Sequence, residues 1–180
     1  MAEHDQLIAG RFLPLEAPAA GLPLRCRDQQ TAQTVMLTPA AGVDARLAGL
    51  FHPSLLAIFA IVEHQGQRLA ACEFVKAQSL AMILSGGRWH PRRAREVVAE
   101  LANGVADLHS HGLLHGAITI GSVLVTDKGK AKLRLLDATG HGTEAGDVMA
   151  LRRLLSSIAA GPVPSIQTDS AAVLAAALRA

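Results

Sequence analysis

Apolar positions change their period three times along the chain, and each stretch predicts its own kind of element. From Gly10 to Val75 the pattern is strand-like. Thr34-Val35-Met36-Leu37 is a β-prone run that follows the polar turn Asp28–Gln33. Leu55–Val62 and Leu69–Val75 are apolar runs joined by Glu63-His64-Gln65-Gly66-Gln67, a hairpin signature with Gly66 in the turn. Between the strands, Val43–Leu50 predicts a short helix ending before His52-Pro53, because the residue ahead of a proline is biased away from helix. Residues 1–9 carry no pattern and read as a loose terminus.

After Ala77 the period becomes helical. Ser79–Leu84 is a short amphipathic turn stopped by Gly86-Gly87, and Pro91 stands where a first helical turn tolerates proline. Val97, Leu101, Val105 and Leu108 then recur at spacings of four, four and three, with Glu96, Glu100, Asn103 and Asp107 on the other side. Gly112 supplies the stop. Strand character returns at Ser122–Val125 and Ala131–Leu136, around an Asp127-Lys128-Gly129 turn. Gly140-His141-Gly142 is a loop, Val148–Ile158 and Ala171–Leu178 are further helices, and Gly161–Ser165 is a flexible link. A β-rich stretch followed by a helical one with an inserted hairpin is an α+β arrangement.

Composition narrows the function classes. The 180 residues suit one ordinary domain or one small bilobed unit. Half are hydrophobic, yet there are only four Phe, one Trp and no Tyr, and 33 are alanine, so the core is made of small side chains. A net charge of +2 is not the field of a nucleic-acid binder, and so few rings make no stacking platform. Cys26 and Cys72 form no disulfide framework, which suits a reducing compartment. The start lacks the basic and apolar regions of a signal peptide, and the central run Leu55–Val62 is too short to span a bilayer. The expectation is a cytoplasmic protein with no nucleic-acid partner and no membrane insertion.

One constellation is not generic. His115-Gly116-Ala117-Ile118, then Val123-Leu124-Val125, a turn, Lys132-Leu133 and Asp137, resembles the catalytic core of a eukaryotic-type protein kinase of the bacterial Ser/Thr kind. Leu108-His109 through His115 resembles the end of that family's long helix entering its catalytic loop. His52-Pro53-Ser54-Leu55 resembles the junction after its regulatory helix, and Cys72-Glu73-Phe74-Val75 with Ser79-Leu80 its gatekeeper and hinge. Arg27-Asp28, Thr31 and Thr34–Thr38 resemble its second and third strands, and Asp147-Val148 with Ala150-Leu151 the start of its buried anchoring helix. The resemblance implies a protein-kinase-like two-lobe fold. A small antiparallel β N-lobe with the hinge would take residues 10–75, and a truncated, mainly helical C-lobe residues 76–180.

The departures from the family pattern bear on function. The phosphate-orienting lysine falls on Thr38, and its helix glutamate near Val43, with Asp44 next door. The proton-accepting aspartate falls on Ala117, the loop lysine on Thr119 and the metal-binding asparagine on Ser122. The Gly-rich loop would lie near Pro18–Leu22, where Gly21 is the one glycine of three retained. Asp137 survives and reads as a retained structural acid. Phosphoryl transfer rests on positioning and electrostatics, and acid–base help alone supplies roughly 10²–10⁴ in rate. The resemblance therefore implies an inactive pseudokinase with no catalytic residue, cofactor or metal. It would act as an interaction or regulatory module for a protein partner that the sequence does not name. Its vestigial nucleotide pocket would comprise Met36, Cys72, Glu73, Val75, Leu124 and Asp137. Met36, Pro23 and Leu124 match the adenine-facing positions; Met36 either fills the purine volume or is an ordinary core methionine. The alternatives are an ATP-binding switch without transfer, or a phosphotransferase with rewired chemistry.

Only nine residues separate Asp137 from Asp147, too few for an activation segment, and one helix follows Ile158 where the family has several. Apolar surface left uncovered there would mark a contact site or a fragment boundary. His109, His111 and His115 have metal-like spacing, although two of them stand where the kinase pattern has structural histidines. Arg88, Arg92, Arg93 and Arg95 around Trp89 form a solvated face, a phosphate site or a docking patch for an acidic partner. Cys72 reads as a small buried hydrophobe. Ser110 and Ser122 lack the nucleophile elbow of a hydrolase.

Overall fold

Alternation of buried and exposed side chains along two neighbouring strands sets the first sheet. The computed structural model describes residues 7–16 and 23–180. The phosphate-loop positions Pro18–Leu22, Gly21 included, and the terminus over residues 1–6 lie outside the described residues. The chain divides into two contact units. The first takes the described residues up to Leu50 together with Ala57–Val75; the second takes Phe51–Leu56 and Lys76–Ala180.

In the first unit, Phe12–Pro14 (β1), Leu24–Asp28 (β2) and Thr34–Pro39 (β3) pair antiparallel in sequence. The chain then skips Leu55–Leu56 (β4), which belongs to the second unit, and adds Ile58–His64 (β5) and Gln67–Glu73 (β6). The sheet order is β1-β2-β3-β6-β5, a curled antiparallel sheet. Leu24 and Cys26 of β2 and Val35 and Leu37 of β3 point to one face, where they meet Phe12 and Ala71. Arg25, Met36 and Thr38 point to the other. At the β5–β6 turn, Gln65 and Gly66 both have positive φ (50° and 73°), the twist that matches a two-residue hairpin.

Asp28, 1 % exposed, closes the β2–β3 turn. It accepts from Nε and a terminal NH₂ of Arg11 at 2.8 and 2.7 Å, from the Gln30 N–H at 3.0 Å and from the Thr31 hydroxyl at 2.8 Å. The Arg11 guanidinium holds this carboxyl well below the usual carboxylate range.

Two local expectations change here. Ile8 and Ala9 are not loose: Ile8 bridges Phe12 across the turn Ala9-Gly10 and packs against the sheet's apolar cluster, while the Ala9 N–H donates to His64 Nδ1 at 3.0 Å. The helix expected over Val43–Leu50 shrinks to a single 3-10 turn, Ala45–Leu47, capped by the Asp44 carboxylate. Gly42 and Gly49 bracket it with positive φ, and the Gly49 N–H is spent on the Ile58 carbonyl at 2.8 Å. Too few residues remain between those glycines to repay helix nucleation.

In the second unit, β4 pairs parallel with Ala131–Arg134 (β9), which pairs with Val123–Thr126 (β8), which pairs with Ala77–Ser79 (β7). The Leu55–Val62 run is thus cut at Ala57, its first two residues joining β9 rather than β6. Leu55 is fully buried, and a Cβ added at Gly104 would stand 3.0 Å from its Cδ2, so the leucine packs onto the helix where a side chain is missing.

Ser79 caps the short helix Leu80–Leu84 (α1). Pro91–Ser110 (α2) starts with proline in its first turn, and its stripe Val97, Leu101, Val105 and Leu108 is fully buried. It ends as the spacing predicts: Gly112, φ 65°, donates to the His109 carbonyl, and the Leu113 N–H reaches back to Leu108. Glu144–Ile158 (α3) and Ala171–Arg179 (α4) pack on α2. Ala171 and Ala175 of α4 and Ala94, Ala99 and Ala102 of α2 are buried, which is one use of the abundant alanine. No helix among the described residues is long and apolar enough to cross a membrane.

Candidate functional site

The second unit holds one buried polar centre, built on Asp147 in the first turn of α3. Its carboxylate is 2 % exposed. One oxygen accepts from the His115 N–H at 2.9 Å and lies 3.0 Å from His109 Nε2; the other accepts from the Gly116 N–H at 2.8 Å. A buried carboxylate is tolerable only when its lone pairs are met. Here α3 does so with the end of α2 and the loop that follows it.

That loop, His115–Ser122, is closed by its own groups. His115 is fully buried. Its Nε2 lies 3.1 Å from the Arg134 carbonyl and its Nδ1 accepts from the Ala117 N–H, so the proton sits on Nε2. Gly116 has φ 73°, and a Cβ there would run into the His141 carbonyl and the Thr139 hydroxyl. The Thr139 N–H ties this roof to the His115 carbonyl at 2.8 Å. Thr119 and Ser122 cap each other: the Thr119 N–H donates to Ser122 Oγ at 2.9 Å and the Ser122 N–H to Thr119 Oγ1 at 3.3 Å. The Ser122 hydroxyl donates in turn to the Thr119 carbonyl at 2.9 Å.

Asp137 ends β9's trailing 3-10 turn. Both of its oxygens face the Arg134 guanidinium, at 2.8 Å from Nε and 2.7 Å from a terminal nitrogen. The pair raises Arg134 above its ordinary value.

The chain is 30 % identical over 96 residues to the serine/threonine-protein kinase pkn2 of Myxococcus xanthus. That match covers 52 % of this chain and 12 % of the relative, and no family model matches. It supports a kinase-like relationship over half the chain. The mixed α/β elements are compatible with a two-lobe kinase-like fold.

The remaining sequence-derived kinase-like positions fall in both units. In the first, Met36 and Cys72 are cross-strand partners, as are Thr38 and Ala70. Met36 is half-buried on the sheet face opposite the apolar cluster, so it is not a member of that core. Cys72 is buried, and burial pushes its thiol up to about 12, while Cys26 is pushed to about 11; neither is a nucleophile near neutrality. The Ala57 N–H donates to the Glu73 carboxylate at 3.4 Å, and Val75 is half-buried. In the second unit, Leu124 pairs with Ser79 and Lys132 across the sheet, and Ala117 and Thr119 stay in the loop described above.

The three histidines go to separate partners: His109 to Asp147, His115 to Arg134 and His111 Nδ1 to the Asp107 carbonyl at 2.8 Å. Among the described residues no group of three His, Cys, Asp or Glu side chains is arranged to hold a metal. In the basic cluster, Arg93 lies over the Trp89 ring and donates to the Gly129 carbonyl, and Arg92 pairs with Glu96 at 3.2 Å. Sequence reasoning missed Thr139 and His141 as the roof over Gly116, for which no local signal exists. It also missed Arg134, whose i, i+3 spacing to Asp137 was visible.

Burial lowers the His115 pKa below its ordinary value, desolvation outweighing its hydrogen bond to Arg134. Because the folded value lies below the unfolded one, near 6.5, His115 contributes its full stability above that pH. The contribution is lost as pH falls from there toward the folded value. In an NMR titration the His115 ring resonances should stay unmoved at pH 6.5, where an exposed histidine is about half protonated. A midpoint at or above 6.5 would refute the buried neutral ring.

Proposed function

We propose that this chain is a pseudokinase, a kinase-like outline without phosphotransfer chemistry that acts by binding another protein. One observation carries the reading: the loop at the catalytic positions is closed by its own groups. Thr119 and Ser122, where the resemblance expects a lysine and a metal-binding asparagine, cap each other. Gly116 lies under the Thr139 and His141 roof, Ala117 offers no proton acceptor, and Arg134 occupies both Asp137 oxygens. With orientation, acid–base help and charge stabilisation all missing, no unit remains for the reaction to use. Thr38 adds a neutral side chain where the phosphate-orienting lysine would stand.

The expected result is no magnesium-dependent incorporation of phosphate from γ-labelled ATP, into the chain itself or into a generic protein substrate. Millimolar ATP with Mg²⁺ should leave Tm within about 1 °C, since a ligand at a hundredfold its Kd adds about 2.7 kcal/mol and moves Tm by several degrees. Label that disappears in Asp137→Asn would overturn the proposal. A Tm rise without label would replace it with an ATP-binding switch.

A further inference from the structure

The second unit carries a groove of about 760 Å³ between α3, the 159–170 segment and α4. Leu155 and Leu174, both buried, form its floor, and Val163 and Ile166 line the 159–170 side. Met149, 47 % exposed, stands at its edge, a flexible side chain that adapts to what it meets. Its charged groups are Arg152 and Arg153. Arg152 makes no ion pair among the described residues, and the Arg153 guanidinium meets the Met149 sulfur at 3.2 Å rather than a carboxylate. No acidic side chain lines the groove. The acids of α3, Glu144 and Asp147, sit in its first turn, Glu144 two turns and more and Asp147 about one and a half turns from these arginines along the helix, and neither lines the groove.

An apolar floor beneath two guanidinium groups with no acid opposite them is a charge-incomplete surface. What completes it is a segment that brings apolar side chains and carboxylates together, since each guanidinium presents a fork that matches a carboxylate. A phosphate or nucleotide alone would leave the apolar floor unused. We propose that this groove docks an acidic–apolar peptide segment of a partner protein, with Leu-, Ile- or Phe-type side chains on Leu155 and Leu174 and Asp or Glu on Arg152 and Arg153. This rests on the reading of the chain as an interaction module and names the chemistry of the partner.

The test is selection from a displayed library of random short peptides, panned in parallel on the full chain and on its Arg152→Glu/Arg153→Glu variant. Selected peptides should be enriched in acids next to large apolar residues. They should bind the variant about tenfold more weakly, the scale expected when two rim attractions become repulsions. Raising the salt should weaken binding to the parent chain. Met149→Glu, an exposed substitution, should weaken the same peptides while leaving Tm within about 1 °C. No enrichment, enrichment without acids, or equal binding to parent and variant would overturn the groove assignment. So would concentration-dependent self-association of the parent that the double variant abolishes, because the occupant would then be a second copy. Phosphate incorporation is measured separately, so a failed groove with no label leaves the pseudokinase reading standing, and label removes that reading whatever the peptides do.

Discussion

Asp147→Ala is expected to cost about 3–5 kcal/mol, because it strips the acceptor from buried donors that have nowhere else to turn. Those donors are the His115 and Gly116 N–H groups and His109 Nε2, all within 3.0 Å of the carboxylate. The loss should lower Tm by roughly 6–20 °C for a chain of this size. Asp147→Asn should recover little, since its NH₂ would face donors instead of accepting from them. Asp127→Ala, an exposed change, serves as the control and should stay within about 0.5 kcal/mol. A Tm for Asp147→Ala within 2–3 °C of the parent, by calorimetry, would mean that water replaces the carboxylate and that the centre is not a tertiary anchor.

Gly116 is the second position where a small change should have a large effect. Alanine there meets two penalties: about 1 kcal/mol or more for an L-residue at φ 73°, and overpacking against the His141 carbonyl and the Thr139 hydroxyl, worth about 1–3 kcal/mol. The resemblance also implies a catalytic-loop arginine at Gly116, and Gly116→Arg, which would supply it, meets both penalties and must also displace the roof. It should destabilise the chain by about 3 kcal/mol or more without producing label from ATP. Gly121→Ala is the matched control, because its nearest neighbour is Thr119 Oγ1 at an ordinary 3.6 Å. Equal stability of Gly116→Ala and Gly121→Ala would show that the loop opens easily, and the closure on which the functional reading depends would fail.

Local rules carried the sequence reading where they acted alone. The spacing of Val97, Leu101, Val105 and Leu108, the proline at position 91 and the glycine at 112 placed α2 and its ends. The Gln65-Gly66 turn placed the β5–β6 hairpin. They failed at Val43–Leu50, where two positive-φ glycines and a bond to β5 left room for one turn only. They failed again at Leu55–Val62, an apolar run that periodicity reads as one strand. Its break at Ala57 follows from Leu55 packing over Gly104 and pairing with Leu133. Neither contact has a signature in the run itself.

The same division runs through the site. The sequence by itself carries the kinase resemblance and, with it, the expectation that Thr38, Ala117, Thr119 and Ser122 stand where that pattern has reactive side chains, because residue chemistry is readable without coordinates. The same resemblance singles out His109, His115 and Asp147, which the fold brings together around one carboxylate. Only the tertiary structure decided what these residues and their neighbours do: Thr119 and Ser122 cap one turn, Arg134 closes on Asp137, and the Thr139 hydroxyl and His141 carbonyl cover Gly116. Helices and turns follow from bonds between near neighbours in the chain. A buried polar group is satisfied by whatever the fold brings within 3 Å, here residues about thirty positions apart.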